Sequence, residues 1–416
     1  MLRAGYSILL WVALPLIALR LWWRSKREPG YAKGIGERFG QYKATANGPL
    51  LWVHAVSVGE VRASVPLVNA LRAEYPDHTV LVTCMTAAGR DAIDLAFGTN
   101  VLAAFLPYDY PFAVRRFLDH FAPRLGVLME TEIWINLLAE CRSRSLPVVL
   151  ASARMSQDSE RAYRRFSGLT RPAIESLSAV CAQTEADANR IASLGAHQVS
   201  VAGNLKFDVV PDPALLSAGA TLKRSLDHRQ VILLASTREG EEDLLLDALG
   251  DRVGGGIFLI VVPRHPQRFQ AVASLIAAAG LKLARRSLGD SVAAADVLLG
   301  DTMGEMPAYY AAADVAVIGG SLRPFGGQNL IEALAIGVPV VIGPYVHNFT
   351  EAVRLAVGAG AVIQVASENA AADVALALLG DPKRRADMGA AGVALCAAHR
   401  GATARHLAAI ANILRR

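Results

Sequence analysis

Glu60 is the first residue of the chain whose type and position suggest catalytic chemistry. It lies in the segment His54-Ala-Val-Ser-Val-Gly-Glu60, directly after an apolar run that is typical of a β-strand. Gly59 would let the chain turn sharply at the end of this strand and place the Glu60 carboxylate at the start of a helix. A carboxylate in this position can take a proton from a hydroxyl group as a general base. The alternative is a glutamate that only complements the helix dipole.

Glu130 and Lys206 also follow predicted strands. Glu130 belongs to Met-Glu-Thr-Glu-Ile-Trp, where it either orients a bound substrate or merely flanks a helix cap at Thr131. Lys206 belongs to Gly-Asn-Leu-Lys-Phe-Asp. A lysine there either balances the charge of an anionic substrate or is a solvated surface residue.

The second half of the chain carries groups that suit an anion. Arg264 follows a predicted strand, and arginine holds phosphate through paired hydrogen bonds. The glycine-rich segment 319–329 leads into a predicted helix, so its backbone amides would approach an anion, and Glu332 nearby can accept from ribose hydroxyls. Together with segment 300–306 after another strand, these groups favour a nucleotide-sugar site over solvated loops.

Short β-branched runs alternate with longer helical patterns from Leu50 onward, which is typical of βαβ units with a parallel sheet. The predicted strands are Leu51–Ala55, Thr79–Thr83, Val101–Leu106, Leu125–Met129, Val148–Ala151, Val199–Ala202, Val231–Ser236, Ile257–Val262, Asp296–Leu299, Val315–Ile318 and Val338–Ile342. The predicted helices between them include Val61–Ala73 and Ile133–Arg144. The fold class is therefore α/β, and ligands in such folds bind at the carboxyl ends of the strands.

A proline-containing break at residues 209–213 separates two halves of similar size. We predict two Rossmann-like, doubly wound domains over residues 28–210 and 211–416, facing a cleft, after an N-terminal membrane anchor at residues 1–27. A hydrophobic content of 53% is ample for two packed cores. The four cysteines form no CxxC pair, so neither a zinc site nor a disulfide framework is indicated.

The N-terminus contains an apolar run suited to a membrane. Residues 6–23 would form a helix of about 27 Å, just long enough to cross a bilayer. The two tryptophans at its end suit the headgroup region, and the basic residues after it suit the cytoplasmic side. We therefore expect an uncleaved single-pass anchor with the body of the protein in the cytoplasm. A monotopic or interfacial helix and a cleaved signal are the alternatives, and no small-residue cleavage site follows the run.

The charge of the chain is concentrated in its first 33 residues. The chain has 42 Lys+Arg and 37 Asp+Glu, a net charge of +5. Residues 1–33 hold six basic residues and one acidic residue, Glu28, so they account for the whole excess. The remaining chain has no basic surplus for a polyanion, and nucleic acid is not an expected partner.

The ordered set of motifs resembles the Kdo transferases, which attach 3-deoxy-D-manno-oct-2-ulosonic acid (Kdo) from CMP-Kdo to the lipid A precursor (lipid IVA) in lipopolysaccharide core biosynthesis. The resemblance covers nearly the whole chain through HAVSVGE, METEIW, ASARMS, GNLKFD, STREGEE, PRHPQRF, GDTMGEM, GGSLRPFGGQN and GPYVHNF. It implies a GT-B fold, an inverting transfer and no required metal or cofactor. It also implies a catalytic body on the cytoplasmic face of the inner membrane.

The resemblance assigns a role to individual residues. Glu60 resembles the general base of the family, and Glu130 and Lys206 resemble the pair that stabilises the transition state. The residues that resemble the CMP-binding positions are Pro263, Arg264, Met303, Gly304, Glu305, Asn329, Leu330, Ile331 and Glu332. The first domain would bind the acceptor and the second the donor. Arg264 and the helix amides after Gly327 would then stabilise the leaving CMP.

The chain departs from the family pattern at three positions. Gln328 replaces the usual His before Asn329, Ala333 replaces a Pro, and Ile135 replaces a Pro after Trp134. Gln328 can still donate a hydrogen bond, so we expect nucleotide binding to survive. The rival hypotheses are another GT-B enzyme, either a UDP-sugar-dependent lipid glycosyltransferase or a sugar epimerase, and a membrane-anchored scaffold without activity.

Overall fold

The structure is a computed structural model, which describes residues 2–27 and 29–415. Met1, Arg416 and Glu28, the one acidic residue of the basic N-terminal segment, lie outside the described residues. The chain forms two compact units. Unit 1 comprises Met1–Val209 with His399–Arg416, and unit 2 comprises Val210–Ala398.

Within the described residues, each unit contains one parallel sheet of seven strands, which confirms the predicted doubly wound α/β class. The strands of the first sheet are β1 Leu50–His54, β2 Thr79–Cys84, β3 Leu102–Phe105, β4 Leu125–Met129, β5 Val148–Ala153, β6 Ala179–Ala182 and β7 Val199–Val201. Those of the second sheet are β8 Gln230–Thr237, β9 Ile257–Pro263, β10 Leu283–Arg285, β11 Val297–Leu299, β12 Val315–Ile318, β13 Val340–Ile342 and β14 Val362–Gln364.

Helices connect the strands and cover both faces of each sheet. In chain order they are α1 Leu2–Arg27, α2 Val58–Glu74, α3 Ala87–Phe97, α4 Pro111–Phe121, α5 Ile135–Ser143, α6 Gln157–Arg165, α7 Ser167–Ile174, α8 Glu185–Ser193, α9 Pro213–Ser225, α10 Glu242–Leu249, α11 Phe269–Ala278, α12 Met306–Ala312, α13 Ile331–Ile336, α14 Thr350–Gly358, α15 Glu368–Leu379, α16 Pro382–His399 and α17 Ala402–Leu414.

The strand orders place one topological switch point in each sheet. The first sheet runs β3-β2-β1-β4-β5-β6-β7, and the second runs β10-β11-β9-β8-β12-β13-β14. The chain therefore reverses its direction of travel between β1 and β4 in unit 1, and between β8 and β12 in unit 2. Open parallel sheets bind ligands in the crevice at this point, beyond the carboxyl ends of the two strands.

The first sheet is buried on both faces, as a helix-covered parallel sheet requires. Leu51 and Val53 pack into the core on one face, whereas Leu50 and Trp52 pack into the core on the other. The indole of Trp52 lies against Gly126 of β4, where an added Cβ would come within 2.9 Å of the ring. Glycine at 126 therefore makes room for the largest side chain of this core.

Most predicted strands agree with the structure to within one or two residues, but β6, β10 and β14 were not predicted. β6 is Ala-Val-Cys-Ala, and small residues have weak strand preferences although all four are buried here. β10 and β14 have only three residues each, too few to show a pattern of their own. Their pairing with neighbouring strands, not their local sequence, makes them strands.

The C-terminal helix corrects the predicted second domain, which was expected to extend to residue 416. Helix α17 packs in unit 1, where Ala402 and Ile410 are fully buried in the core that contains α2. His406 is also fully buried, and its Nε2 accepts a hydrogen bond from the backbone amide of Ser152 at 2.8 Å. The chain thus returns to unit 1 because this helix completes its core.

Helix α1 is the one helix of the described residues that is long and apolar enough to cross a membrane, over Leu2–Lys26. Its first turns also contact the body of unit 1. Tyr6 donates to the buried carboxylate of Asp109 at 3.1 Å, and the hydroxyl of Tyr110 donates to the carbonyl of Leu10 at 2.7 Å. The ring of Trp11 stacks on that of Phe112 with centroids 5.5 Å apart.

Candidate active site

Glu60 lies in the first turn of α2, beyond the carboxyl end of β1. Its Oε2 accepts from the backbone amide of Val56 at 2.8 Å, and its Oε1 accepts from the hydroxyl of Ser57 at 3.2 Å. The predicted role of Gly59 as a sharp turn is wrong, because Gly59 is the second residue of α2 and does not have a positive φ. The loop at 55–57 makes the turn instead, and it supplies both hydrogen bonds that orient the carboxylate.

Glu130 and Lys206, 76 residues apart in sequence, form a largely buried ion pair. Lys206 Nζ donates to Glu130 Oε1 at 2.7 Å, and the two side chains are 15% and 12% exposed. Glu130 follows β4 directly and has a left-handed φ of 56°, which is costly for a residue with a Cβ. The ion pair and the hydrogen bond from Glu130 N to Ala151 O at 2.9 Å hold it there. On the other side of the pair, Asn204 accepts from the amide of Lys206 at 3.0 Å and so fixes the short helix that carries the lysine.

Burial and charge shift the pKa values of the carboxyl groups of this site in opposite directions. Burial, reinforced by the negative charge of Glu130, raises the pKa of Glu60 to about 8. Burial also acts to raise the pKa of Glu130, but the ammonium of Lys206 outweighs it and holds that pKa below its usual value. Glu60 is therefore poised to exchange a proton near neutral pH, whereas Glu130 stays ionised.

Two further charged residues, Arg154 and Glu132, support this site together with Asn204, and none of the three was predicted as a site residue. Arg154, after β5, lies 3.8 Å from Glu130 Oε2. Glu132 accepts from the indole of Trp134 at 2.7 Å, and burial raises its pKa. All three residues follow a strand of the first sheet, and they lie within the segments METEIW, ASARMS and GNLKFD. These two features of the sequence could have identified them.

In unit 2, Arg264 directly follows Pro263, the last residue of β9. Its backbone amide donates to Thr237 O at 2.9 Å, and its Nε donates to Gln328 Oε1 at 3.2 Å. Burial, followed by the charges of Arg238 and Arg264, lowers the pKa of His265. Arg238 and Arg264 therefore lie close together at this edge of the second sheet, and guanidinium groups suit a phosphate.

Met303, Gly304 and Glu305 form part of the loop between β11 and α12. Met303 is 49% exposed and Gly304 has a φ of 90°, a left-handed conformation that favours glycine. The carboxylate of Glu305 is bound internally: Arg286 donates to it at 2.8 Å, and the hydroxyl of Thr302 donates to it as well. A nucleotide at this loop would therefore meet its backbone and the Met303 side chain more readily than the Glu305 carboxylate.

Asn329 and Glu332 are joined at the start of α13. Asn329 Nδ2 donates to Glu332 Oε1 at 2.9 Å, and Asn329 Oδ1 accepts from the amide of Ile331 at 3.1 Å. The side chains of Leu330 and Ile331 are buried in the core, so only their main-chain atoms could face a ligand. One amide expected to face an anion, that of Gly327, instead donates to Gly320 O at 2.7 Å.

The structure thus collects the predicted residues into two groups. Glu60, Glu130 and Lys206 lie beyond strands of the first sheet, the two glutamates on either side of its switch point. The expected donor-binding residues follow β9, β11 and β12 of the second sheet, and Gln328 links Arg264 to the segment before Asn329. Unit 1 carries the Glu60 carboxylate and the Glu130–Lys206 ion pair, and unit 2 carries Arg264 and the loop at 303–305.

Comparison with known protein families matches a different family model to each unit. Residues 33–209 match the family model of 3-deoxy-D-manno-octulosonic-acid transferase, and residues 292–394 match that of glycosyl transferases group 1. Solved structures that resemble the chain include a putative UDP-N-acetylglucosamine 2-epimerase from Listeria monocytogenes, with a TM-score of 0.60, 14% identity and coverage of 88% of this chain and 96% of that one. At that identity the likeness shows the fold alone, two Rossmann-like domains of the GT-B type.

Curated relatives are similar along their whole length. A 3-deoxy-D-manno-octulosonic acid transferase from Bordetella pertussis is 45% identical over 99% of both chains. One from Haemophilus influenzae is 34% identical over 98% of this chain and 97% of that relative. Similarity of this degree and extent, together with the family model over unit 1, shows that the chain belongs to the 3-deoxy-D-manno-octulosonic acid transferase family and is a glycosyltransferase.

Proposed function

We propose that the protein transfers Kdo from CMP-Kdo to a hydroxyl group of a lipid A precursor, with inversion at the anomeric carbon. The observation that carries the proposal is the Glu60 carboxylate, whose pKa is raised to about 8, beside the Glu130–Lys206 ion pair. A base with a pKa near the working pH combines a useful ionised fraction with a strong affinity for the proton.

The reaction is a single displacement in which Glu60 acts as general base. Its carboxylate takes the proton of the acceptor hydroxyl while that oxygen bonds to the anomeric carbon of Kdo. The bond from this carbon to the CMP phosphate breaks, and the phosphate oxygen keeps the electron pair. The hydrogen bonds from Val56 and Ser57 fix the carboxylate during proton transfer.

Lys206 supplies positive charge on the acceptor side. The pair it forms with Glu130 is largely buried, so its ammonium is held in one place and does not reorganise during reaction. Glu130 secures the ammonium and also keeps negative charge near Glu60, which strengthens Glu60 as a base. The two residues thus act together, as the family resemblance implies.

The donor is assigned to unit 2. Arg264, with Arg238 nearby, provides the positive charge for the phosphate of CMP-Kdo. Glu332 and Asn329 suit the ribose hydroxyls, and the loop 303–304 suits the base. These guanidinium groups would offset the charge of the leaving phosphate, the task that a divalent ion performs in other transferases, so we propose that no metal is required.

We also propose that α1 holds the protein at the cytoplasmic face of the inner membrane. The contacts of Tyr6 and Leu10 with the body of unit 1 favour a helix that lies at the membrane surface over one that crosses it. A crossing helix would carry its first turns, and the buried Asp109 that binds them, into hydrocarbon, where a carboxylate is costly. The outward apolar side chains, such as Leu9 and Leu16, would then enter the bilayer.

The test is product analysis with the purified full-length chain, radiolabelled CMP-Kdo and a tetraacylated lipid A precursor. We expect label in the lipid fraction, with the same rate in EDTA as in Mg²⁺. A UDP-sugar should give no lipid product, because the family is that of the Kdo transferases and the resemblance to UDP-sugar epimerases is one of fold. An unlabelled lipid fraction would contradict the proposed reaction, and a rate abolished by EDTA would contradict its metal-free form.

A further inference from the structure

Glu241 is a carboxylate that the proposed reaction does not use, and it is fully buried in unit 2. It lies in the loop between β8 and α10 and is 0% exposed. Burial raises the pKa of its carboxyl, whereas backbone amides from two loops act in the opposite direction. A buried carboxylate is costly unless its oxygens are satisfied, so its partners indicate what it is for.

Those partners are backbone amides on both sides of the switch point of the second sheet. Oε2 accepts from Gly320 N at 2.7 Å and from Arg238 N at 2.9 Å, and Oε1 accepts from Leu322 N at 3.0 Å. Gly320 and Leu322 follow β12, whereas Arg238 follows β8. Glu241 therefore ties together the two loops of the ligand-binding crevice and occupies amides that the glycine-rich sequence offered to a phosphate.

The turn that Glu241 holds is in contact with the expected donor-binding residues. Gly320 O accepts from Gly327 N at 2.7 Å. Gly320 also lies beneath Gln328, since a Cβ added to Gly320 would come within 3.1 Å of Gln328 Nε2. Gln328 in turn accepts from Arg264 Nε at 3.2 Å. A continuous series of contacts thus leads from the Glu241 carboxylate to the Arg264 guanidinium.

We infer that Glu241 is a positioning residue for donor binding, which fixes the turn 319–322 and, through Gln328, the orientation of Arg264. The inference rests on the proposed function of unit 2. Side chains that bind a ligand need supporting hydrogen bonds to stay in the productive geometry, and Glu241 supplies them from behind the crevice. It touches no part of the donor itself.

The test compares E241Q with E239Q. Glutamine has one acceptor oxygen in place of two. Its amide nitrogen is a donor, so at least one of the backbone N–H groups that now donate to Glu241 would lose its acceptor. E239Q removes the same charge two residues away, but the side chain of Glu239 is 65% exposed. For E241Q we expect KM for CMP-Kdo and Kd for CMP to rise about tenfold, with kcat per folded molecule changed less than about threefold. E239Q should match the wild type in all three.

Calorimetric binding of CMP separates this inference from the proposed function. If the wild type binds no CMP, the proposed function fails; if E241Q is folded and binds CMP like the wild type, only the role of Glu241 fails. A folded E241Q that loses kcat at unchanged KM would also overturn that role. Should E241Q not fold, G320A perturbs the same turn with Glu241 retained. A raised KM in G320A supports the inference, and an unchanged KM overturns it.

Discussion

Glu60 and Glu130 lie beyond the two strands that flank the switch point of the first sheet, yet their pKa values move apart. Burial raises that of Glu60 to about 8, whereas burial of Glu130 is outweighed by the charge of Lys206 and its pKa falls. Where two nearby carboxyl groups differ in this way, the one with the higher pKa is the group that exchanges protons. This pKa difference supports the proposal that Glu60 is the base.

The pH dependence of transfer follows from the raised pKa of Glu60. Only the ionised carboxylate can accept a proton, so kcat/KM for the acceptor should rise about tenfold per pH unit below about 8 and level off above it. The negative charge of Glu132 contributes to the raised pKa, so E132Q should move the midpoint to lower pH. Rate profiles from acid to alkaline pH measure this. The control is E74Q, at the opposite end of α2 from Glu60. A pH profile of E132Q identical to that of the wild type would contradict the assignment of Glu60 as the titrating group.

Removing Lys206 should cost stability as well as activity. K206A leaves Glu130 buried without its closest cation, which in other proteins destabilises by about 3–5 kcal/mol. R154A should cost much less, because Arg154 lies 3.8 Å from Glu130 and is 38% exposed. Urea unfolding of both variants and of E130A/K206A gives the comparison. The double variant should regain part of the stability but none of the activity, and an equal loss in K206A and R154A would be inconsistent with the buried pair.

At the scale of elements, the sequence predicts the parallel α/β fold well, because a run such as Leu125–Met129 is apolar and bounded by helical patterns. It does not reveal β6, whose strand character comes from pairing with β5 and β7. It also places α17 in the wrong domain. An amphipathic helix at the C-terminus shows that it buries one face, but nothing in its pattern shows which core receives it.

The sequence predicts which residues form the site but not how they are arranged in space. The position of Glu60 after a strand and at a helix start can be inferred from spacing alone. The pairing of Glu130 with Lys206 cannot, because it depends on the return of the chain after β7 and on a left-handed φ at Glu130. The glycine-rich turn after β12 suggested an anion site. The backbone amides of Gly320 and Leu322 in this turn instead donate to Glu241, which precedes Gly320 by 79 residues.

Helix α17 should behave as a core element of unit 1. In H406A the buried amide of Ser152 loses its acceptor, for a cost of about 1–3 kcal/mol in addition to the cavity that the ring leaves. H197A, which removes an exposed histidine from the same unit, is the matched control. Thermal unfolding of both variants tests this. A melting temperature in H406A equal to that of H197A would mean that α17 does not complete the core.

The whole chain combines a neutral body with a basic, apolar N-terminal segment, and this division predicts how it meets a membrane. Each basic residue near an anionic surface contributes about 1 kcal/mol, so R20Q/K26Q should weaken binding to anionic vesicles roughly 10- to 30-fold. K383Q/R384Q removes the same charge from unit 2 and should change little. Co-sedimentation with anionic and zwitterionic vesicles measures both. Equal losses in the two variants would mean that binding reflects net charge and not the N-terminal segment.

The substitution of Glu60 by glutamine should not unfold the protein. Folding raises the pKa of Glu60 from 4.5 to about 8, so the protonated carboxyl is the form that the folded state prefers. The free-energy cost of ionised Glu60 therefore grows as the pH rises from about 4.5 to about 8 and is complete above that range. Because glutamine carries no charge, E60Q should be at least as stable as the wild type at alkaline pH, which urea unfolding would measure. A free energy of unfolding of E60Q far below that of the wild type at alkaline pH would contradict the raised pKa of Glu60.

The rate at which the E60Q variant transfers Kdo shows whether Glu60 is the base of the reaction. Glutamine keeps the size of the side chain but cannot accept the proton of the acceptor hydroxyl. We predict that E60Q binds CMP-Kdo normally and transfers labelled Kdo to the lipid acceptor at least about 100-fold more slowly. Transfer by E60Q at the wild-type rate would mean that Glu60 is not the base.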